Sequence, residues 1–307
     1  MEVVHNAGLS VKKKKSITAS KAGLIFFLLT LPTLLLYIVF FLFPVGMGFF
    51  YSMTNWDGFS KSFRFVGLNN YINIMKDSRF IDSMQFTFLY TFLVVVIKLL
   101  IALLLAILLS GSLKLRSFFR SVFFFPAVLS MLTVGLIFNQ VFYSVLPHLG
   151  EALSLEWLSK NILGNKNTAM YGIALTNIWH GIATPMVIFI AGLSSVPKDL
   201  KEAAVIDGAT PIQRFFSVTV PFLIPMLTVN LVIAIKGALT VFDYIVAMTD
   251  GGPAKATESM GFLIYKHGMT EMKFGYGTAE AIYVFLMIAT ISFIQIKLLN
   301  RKEAGQL

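Results

Sequence analysis

Not one cysteine occurs among the 307 residues, so the chain holds no disulfide, iron–sulfur cluster or thiolate zinc site. Charge is scarce too. Asp, Glu, Lys and Arg make up 13% of the sequence, about half the usual share of roughly 25%. No G-x-x-x-x-G-K-[ST] phosphate loop occurs, which removes that route to ATP binding within the chain. H-E-x-x-H and G-x-S-x-G are also absent, so no zincin or nucleophile-elbow chemistry is expected. The four histidines, at positions 5, 148, 180 and 267, are too scattered to suggest a metal site. A membrane-embedded glycosyl or lipid transferase would need clustered acids or histidines at one interface, and these are missing.

What is present is apolar. Hydrophobic residues make up 57% of the chain, Phe alone supplies 30 residues, and the mean hydropathy is +0.79. A lipid-facing surface accounts for this, because outward positions must be apolar and the backbone must satisfy itself as helix. The net charge of +10 would suggest nucleic acid in a soluble protein. No Arg-rich run with interleaved aromatics appears in any polar loop, so the charge is read as setting membrane topology.

A spanning helix needs about 20 predominantly apolar residues. Six stretches meet this: Gly23–Met47, Met84–Leu109, Val122–Phe142, Ala169–Leu193, Phe222–Met248 and Ala279–Leu299. The expected fold is therefore all-α, a polytopic membrane bundle of six transmembrane helices. Residues 1–22 form a basic tail, 23–300 the membrane domain and 301–307 a second tail. Lys12 to Lys15 and Lys21 before the first span resemble a signal-peptide n-region. The apolar run that follows is much longer than an h-region of about 7–15 residues, and a retained span is expected. With both tails on one side, 14 Lys and Arg fall on that side against 9 on the other. Positive charge retained inside puts both termini in the cytoplasm. Among the outer loops, Phe65–Ser83 reads as a short amphipathic surface helix through Tyr71, Ile74, Met75 and Phe80. Asp250-Gly-Gly-Pro253 reads as a turn.

The cytoplasmic loop at about 195–221 carries more local signal than a bare connection needs. Pro197 fits a first helical position, Asp199 and Glu202 suit the positive end of the helix dipole, and Gly208 suits a left-handed C-cap. Thr210, Pro211 and Gln213 spell the capping box of a second helix, with Ile212, Phe215 and Phe216 as an apolar patch and Pro221 marking the turn into the fifth span. From the residues alone, an interfacial helix lying on lipid and a docking element for a partner are both open.

The pattern Glu202-Ala203-Ala204, Gly208, then Val218-Thr219-Val220-Pro221 resembles the signature loop of importer-type ABC permeases, with Val218 and Val220 replacing Ile and Leu. Val66-Gly67-Leu68-Asn69-Asn70-Tyr71, Asn177-x-Trp179-x-Gly181, Pro197-x-Asp199-Leu200 and Phe242-Asp243 followed by Thr249-x-Gly251-Gly252-Pro253 are similar to the carbohydrate-uptake branch, in particular to the larger permease of maltose-type importers. The resemblance implies a type I ABC importer permease fold and a multi-pass protein of a prokaryotic cell membrane. The implied function is half of a heterodimeric pore for a carbohydrate, in particular an oligosaccharide. Implied partners are a second homologous permease, two copies of a cytoplasmic ATPase that binds ATP and Mg, and an extracytoplasmic sugar-binding protein. No cofactor is expected in this chain. Carried over by position, Glu202 is the ionic contact to the ATPase, Ala203 and Ala204 the packing face, and Gly208 the bend, with Asp207 beside it. A secondary transporter driven through Lys98, Lys236 or Asp243 is the alternative.

Polar residues inside a span are costly and are candidates for function. Asn177, His180, Gly181 and Thr184 recur at i, i+3, i+4 and i+7, so one face of the fourth span is a candidate substrate pathway. Lys236, Thr240 and Asp243 form a second stripe on the fifth. Interhelical hydrogen bonding or a structural ion pair would explain the same residues. Lys98 is assigned to bundle or partner packing, and Glu280 and Tyr283 receive no role.

Overall fold

A computed structural model describes residues 17–111 and 114–303, so Lys12 to Lys15 of the expected basic tail and residues 304–307 lie outside the described residues. The chain divides into two compact units, Met1–Phe50 and Tyr51–Leu307. In the first, helices α1 (Ile17–Tyr37) and α2 (Phe43–Ser52) run together through a π-helical turn at Ile38–Leu42. Residues Phe26–Ser52 are long and apolar enough to cross a membrane.

The second unit is helical as well. Among the described residues the only β pairing is an isolated bridge between Thr54 and Phe65. Four further helices qualify as spans: Ser78–Ser110, Met131–Ala152, Pro211–Leu239 and Phe274–Leu298. A bent pair, Ala169–Gly181 and Ala183–Ser195, makes the sixth. The count of six expected from the sequence is therefore present, but several boundaries and shapes differ.

The surface helix expected over Phe65–Ser83 is two elements. α3 (Asn69–Ile74) ends at Met75, and α4 (Ser78–Ser110) begins under an Asp77 N-cap, whose Oδ1 accepts the Arg79 N–H at 2.9 Å. Ile74 and Phe80 are buried in the core while Ile72 and Met75 are exposed, so the segment is anchored to the bundle by one face rather than lying free on it. The third span is displaced. α5 (Arg116–Phe124) is a separate helix, because the Pro126 ring would meet the carbonyl of Val122 if the helix continued. The chain tightens into a 3-10 turn at Phe125–Val128, becomes extended at Leu129 and starts again as α6 (Met131–Gln140) and α7 (Leu146–Ala152).

The fourth span is α8 (Ala169–Gly181) and α9 (Ala183–Ser195), bent by 47°. Pro185 explains the bend: it cannot donate to the Gly181 carbonyl, and its ring crowds that oxygen. The fifth span does not turn at Pro221. After α10 (Lys198–Ile206), α11 (Pro211–Arg214) passes through a π-helical turn at Phe215–Thr219 straight into α12 (Val220–Leu239). Within the wide turn, Val220 N–H donates to the Phe215 carbonyl, a register that accommodates the missing proline donor one residue later. The fifth span also ends nine residues before the expected Met248, and a short helix, α13 (Asp243–Met248), follows a break at Thr240–Phe242. α14 (Met260–Tyr265), a π-helical turn at Lys266–Thr270 and α15 (Phe274–Glu303) complete the unit.

α4 is the central element, packed against α8, α9 and α12. Its buried Val94, Leu99, Ala102 and Ala106 share a core with Ile178, Met186, Phe189, Leu223 and Ile245. α6 and α13 approach closely at Gly135, where a Cβ would come within 2.6 Å of the Ala247 Cβ. At the end where α4 begins, Arg79 donates from Nε and Nη2 to both oxygens of Glu258, each at 2.7 Å, and from Nη1 to Glu271 at 2.6 Å. Exposed ion pairs contribute about 0–1 kcal/mol. This fork is partly buried and bidentate, so it belongs with the stronger charge-assisted bonds. Burial opposes ionisation of Glu271, but hydrogen bonds from Lys273 and Arg79 outweigh it and hold the carboxyl at about 2.

Candidate functional site

The kink in the fourth span, the middle of α4 and the break after α12 enclose a cavity of about 420 Å³. That lies within the roughly 300–1,000 Å³ usual for small-ligand sites. Asn177, His180, Gly181 and Thr184 all line it, as do Thr240 and Asp243. Two of these are committed to the scaffold. Asn177 donates from Nδ2 to the Tyr90 hydroxyl at 2.7 Å and accepts from Lys98 Nζ at 2.5 Å. His180 Nε2 faces the Leu129 carbonyl at 3.2 Å, and a carbonyl only accepts, so that nitrogen carries the proton. In the neutral ring Nδ1 then accepts from the Tyr244 hydroxyl, 2.5 Å away. His180 thereby ties α8 to α13 and to the extended turn before α6.

Lys236 is not in the wall. It is exposed on the flank of α12, and the helix ends at Leu239, so the i, i+4, i+7 stripe does not continue to Asp243. Lys98 supplies the ammonium group instead. A Cβ at position 181 would stand 2.8 Å from Lys98 Nζ, so the absent side chain of Gly181 makes the notch in which the lysine tip sits. Among the described residues neither Lys98 nor Asp243 has an ion-pair partner. The wall thus presents one ammonium group, one carboxylate and the hydroxyls of Thr184 and Thr240. Trp179, adjacent in sequence, turns away and packs on Phe138 at 5.1 Å between ring centres. Lys98, Tyr90, Tyr244 and Asn230 are additions to the expected set. For Lys98 and Asn230 the signal was a charged or polar group within an apolar span; the two tyrosines carried none.

A second site is the α10–α11 hairpin, between the fourth and fifth spans. Pro197 is the N-cap of α10 rather than its first residue, with Asp199 in the first turn. The helix ends in a Schellman motif: Gly208, at φ +76°, donates to the Val205 carbonyl and Ala209 donates to that of Ala204, both at 3.0 Å. α11 starts at once under the complete Thr210–Gln213 capping box. Two short helices are thereby joined with both ends satisfied and little play. Glu202, Ala203, Asp207 and Gly208 are exposed, while Ala204 is half-buried. Ile206, Ile212 and Phe216 project with 85%, 71% and 64% of their surface exposed, an uncovered apolar patch beside an exposed carboxylate.

Residues 98–304 match the family described as binding-protein-dependent transport system inner membrane component. The chain is 42% identical over 270 residues to the multiple sugar-binding transport system permease protein MsmF of Streptococcus mutans, covering 88% of this chain and 93% of that one. It is 34% identical to the probable starch degradation products transport system permease protein AmyD of Thermoanaerobacterium thermosulfurigenes, over 92% of this chain and 96% of that relative. In fold it is similar to a chain of a bacterial alginate ABC transporter crystallised with an alginate pentasaccharide-bound periplasmic protein. There the TM-score is 0.80 at 20% identity, covering 93% of this chain and 97% of that one.

Proposed function

Since the chain belongs to the binding-protein-dependent transport system inner membrane components, we propose that it is a permease subunit of an ATP-driven importer for a carbohydrate, an oligosaccharide in particular. It forms half of a pore with a second, homologous permease. An extracytoplasmic sugar-binding protein delivers the substrate, and two copies of a cytoplasmic ATPase, which bind ATP and Mg, drive the cycle. Both termini and the α10–α11 hairpin face the cytoplasm, in keeping with the excess of Lys and Arg on that side.

The observation that carries this reading is the hairpin. A lever must be stiff and must have something to hold. The Schellman motif and capping box supply stiffness, and Glu202 with exposed Ile206, Ile212 and Phe216 supplies the docking face. Closure of the ATPases moves the two hairpins of the dimer as rigid bodies, and the bundle rocks about the cavity between α4, the α8–α9 kink and α12. In that cavity Asp243 accepts from sugar hydroxyls, Lys98 donates to sugar oxygens, and Thr184 and Thr240 do either. Asn177 and His180 hold the wall in shape.

Glu202→Lys tests the lever. The variant is expected to insert normally, because the residue is exposed, yet to lose uptake and retain the ATPase poorly on co-purification. Uptake at the wild-type rate would remove the ionic role of Glu202.

A further inference from the structure

Three groups that do not line the cavity converge without serving transport as read above. Glu280, in the second turn of α15, is fully buried; His267 Nδ1 lies 2.8 Å from its Oε1, and its Oε2 has no hydrogen-bond partner. Asp77 caps α4 and accepts the Tyr276 hydroxyl on Oδ2 at 3.0 Å. One ligand atom each from Asp77, His267 and Glu280 all lie within 4.8 Å of one another. A pocket of about 320 Å³, lined by Asn73, Lys76, Asp77, His267, Lys273 and Tyr276, reaches Asp77 and His267 from the surface, with Glu280 buried behind them.

A buried carboxylate oxygen with no donor is costly, and an ionised one more so. Of the fixed cations nearby, Arg79 is engaged by Glu258 and Glu271 and Lys273 by Glu271, while Lys76 lines the pocket without pairing with either carboxyl. Neither Asp77 nor Glu280 has a Lys or Arg within ion-pair distance among the described residues. His267 alone stands beside Glu280 Oε1, and Oε2 has neither a donor nor a fixed cation next to it.

We propose that Asp77, His267 and Glu280 bind one divalent transition-metal cation of the zinc type, which ties the start of α4, the 266–270 turn and α15 together. Imidazole nitrogen with two carboxylates suits Zn²⁺ better than Ca²⁺ or Mg²⁺, which favour all-oxygen shells. Two carboxylates and a neutral imidazole also balance its charge. Zinc bonds to nitrogen and oxygen are about 2.0–2.2 Å long, so the three ligand atoms close to about 3.4 Å apart when the ion binds. The proton shared by His267 and Glu280 leaves to solvent in the exchange. Tyr276, through Asp77, orients a ligand from outside the shell.

The test needs neither substrate nor partners. Tag-free chain, purified in detergent, is titrated with ZnCl₂ by calorimetry against a competing chelator, in buffers of different ionisation heat. One Zn²⁺ per chain with proton release is expected. His267→Gln and Glu280→Gln should each weaken binding by more than the roughly 10–100-fold typical of outer-shell changes, and Tyr276→Phe within that range. His148→Gln, whose ring instead faces the Ser144 carbonyl, should leave it unchanged. Absence of saturable binding by folded wild-type chain overturns the proposal and leaves a hydrogen-bonded His–Glu pair. Binding that survives His267→Gln overturns it as well. If Glu280→Gln fails to fold, the wild-type titration and His267→Gln still decide.

Discussion

Gly181 has no room for a side chain, and the atom it spares is the ammonium nitrogen of Lys98. A Cβ there would lie 2.8 Å from Nζ and 3.7 Å from Asn177 Oδ1. The lysine tip is flexible, so Gly181→Ala displaces it rather than breaking the fold, and the helix gains up to about 1 kcal/mol of propensity. The displaced bond, one to a charged group, is worth about 1.5–3 kcal/mol. Transport by Gly181→Ala is therefore expected to need about tenfold more substrate for half-maximal uptake, with thermal stability modestly lowered, because the lost bond outweighs the gain in propensity. Uptake and stability measured on the same preparation separate these effects; unchanged uptake would dissociate Lys98 from the pathway. At this scale the sequence was half informative. It marked Asn177, Thr184 and Asp243 by polarity within apolar spans, and Gly181 by its place on the Asn177 face. It could not show that His180 has both nitrogens engaged, or that Lys98 and not Lys236 reaches the cavity.

In the elements, local chemistry was legible where it was self-contained. The α10–α11 hairpin follows its caps residue by residue, because each bond closes within a few positions along the chain. Gly208 stands at φ +76° with nothing within 4 Å of an added Cβ, so its role is conformational and not steric. Gly208→Ala should cost about 1–2 kcal/mol locally and loosen the joint, whereas Gly208→Asn, which visits the left-handed region more readily, should cost less. Measured as ATP hydrolysed per substrate imported, Ala should uncouple the transporter and Asn largely restore it. Equal behaviour of the two variants would deny the hairpin its stiffness role. The spans were less legible. Apolar length alone set the third span some ten residues early and drew the fourth straight. Pro126 and Pro185 decided both, and a hydropathy window gives a proline no more weight than any other residue.

For the whole molecule, the decisive question is the source of energy. An ATP-driven assembly is expected to lose uptake in vesicles on addition of vanadate and to keep it on addition of an ionophore. The reverse result would favour a gradient-driven carrier working through Lys98 or Asp243. The sequence by itself determined that this chain is a helical membrane protein of about six spans with a capped hairpin between the fourth and fifth. Hydrophobic length and helix caps are properties of neighbours in the chain, and composition suffices to read them. Only the tertiary structure decided what meets across the bundle. It seated Lys98 in the Gly181 notch 83 positions away, joined Arg79 to Glu258 and Glu271, and gathered Asp77, His267 and Glu280 around one point. Such contacts depend on how bent and broken helices pack, and no local period in the sequence records that packing.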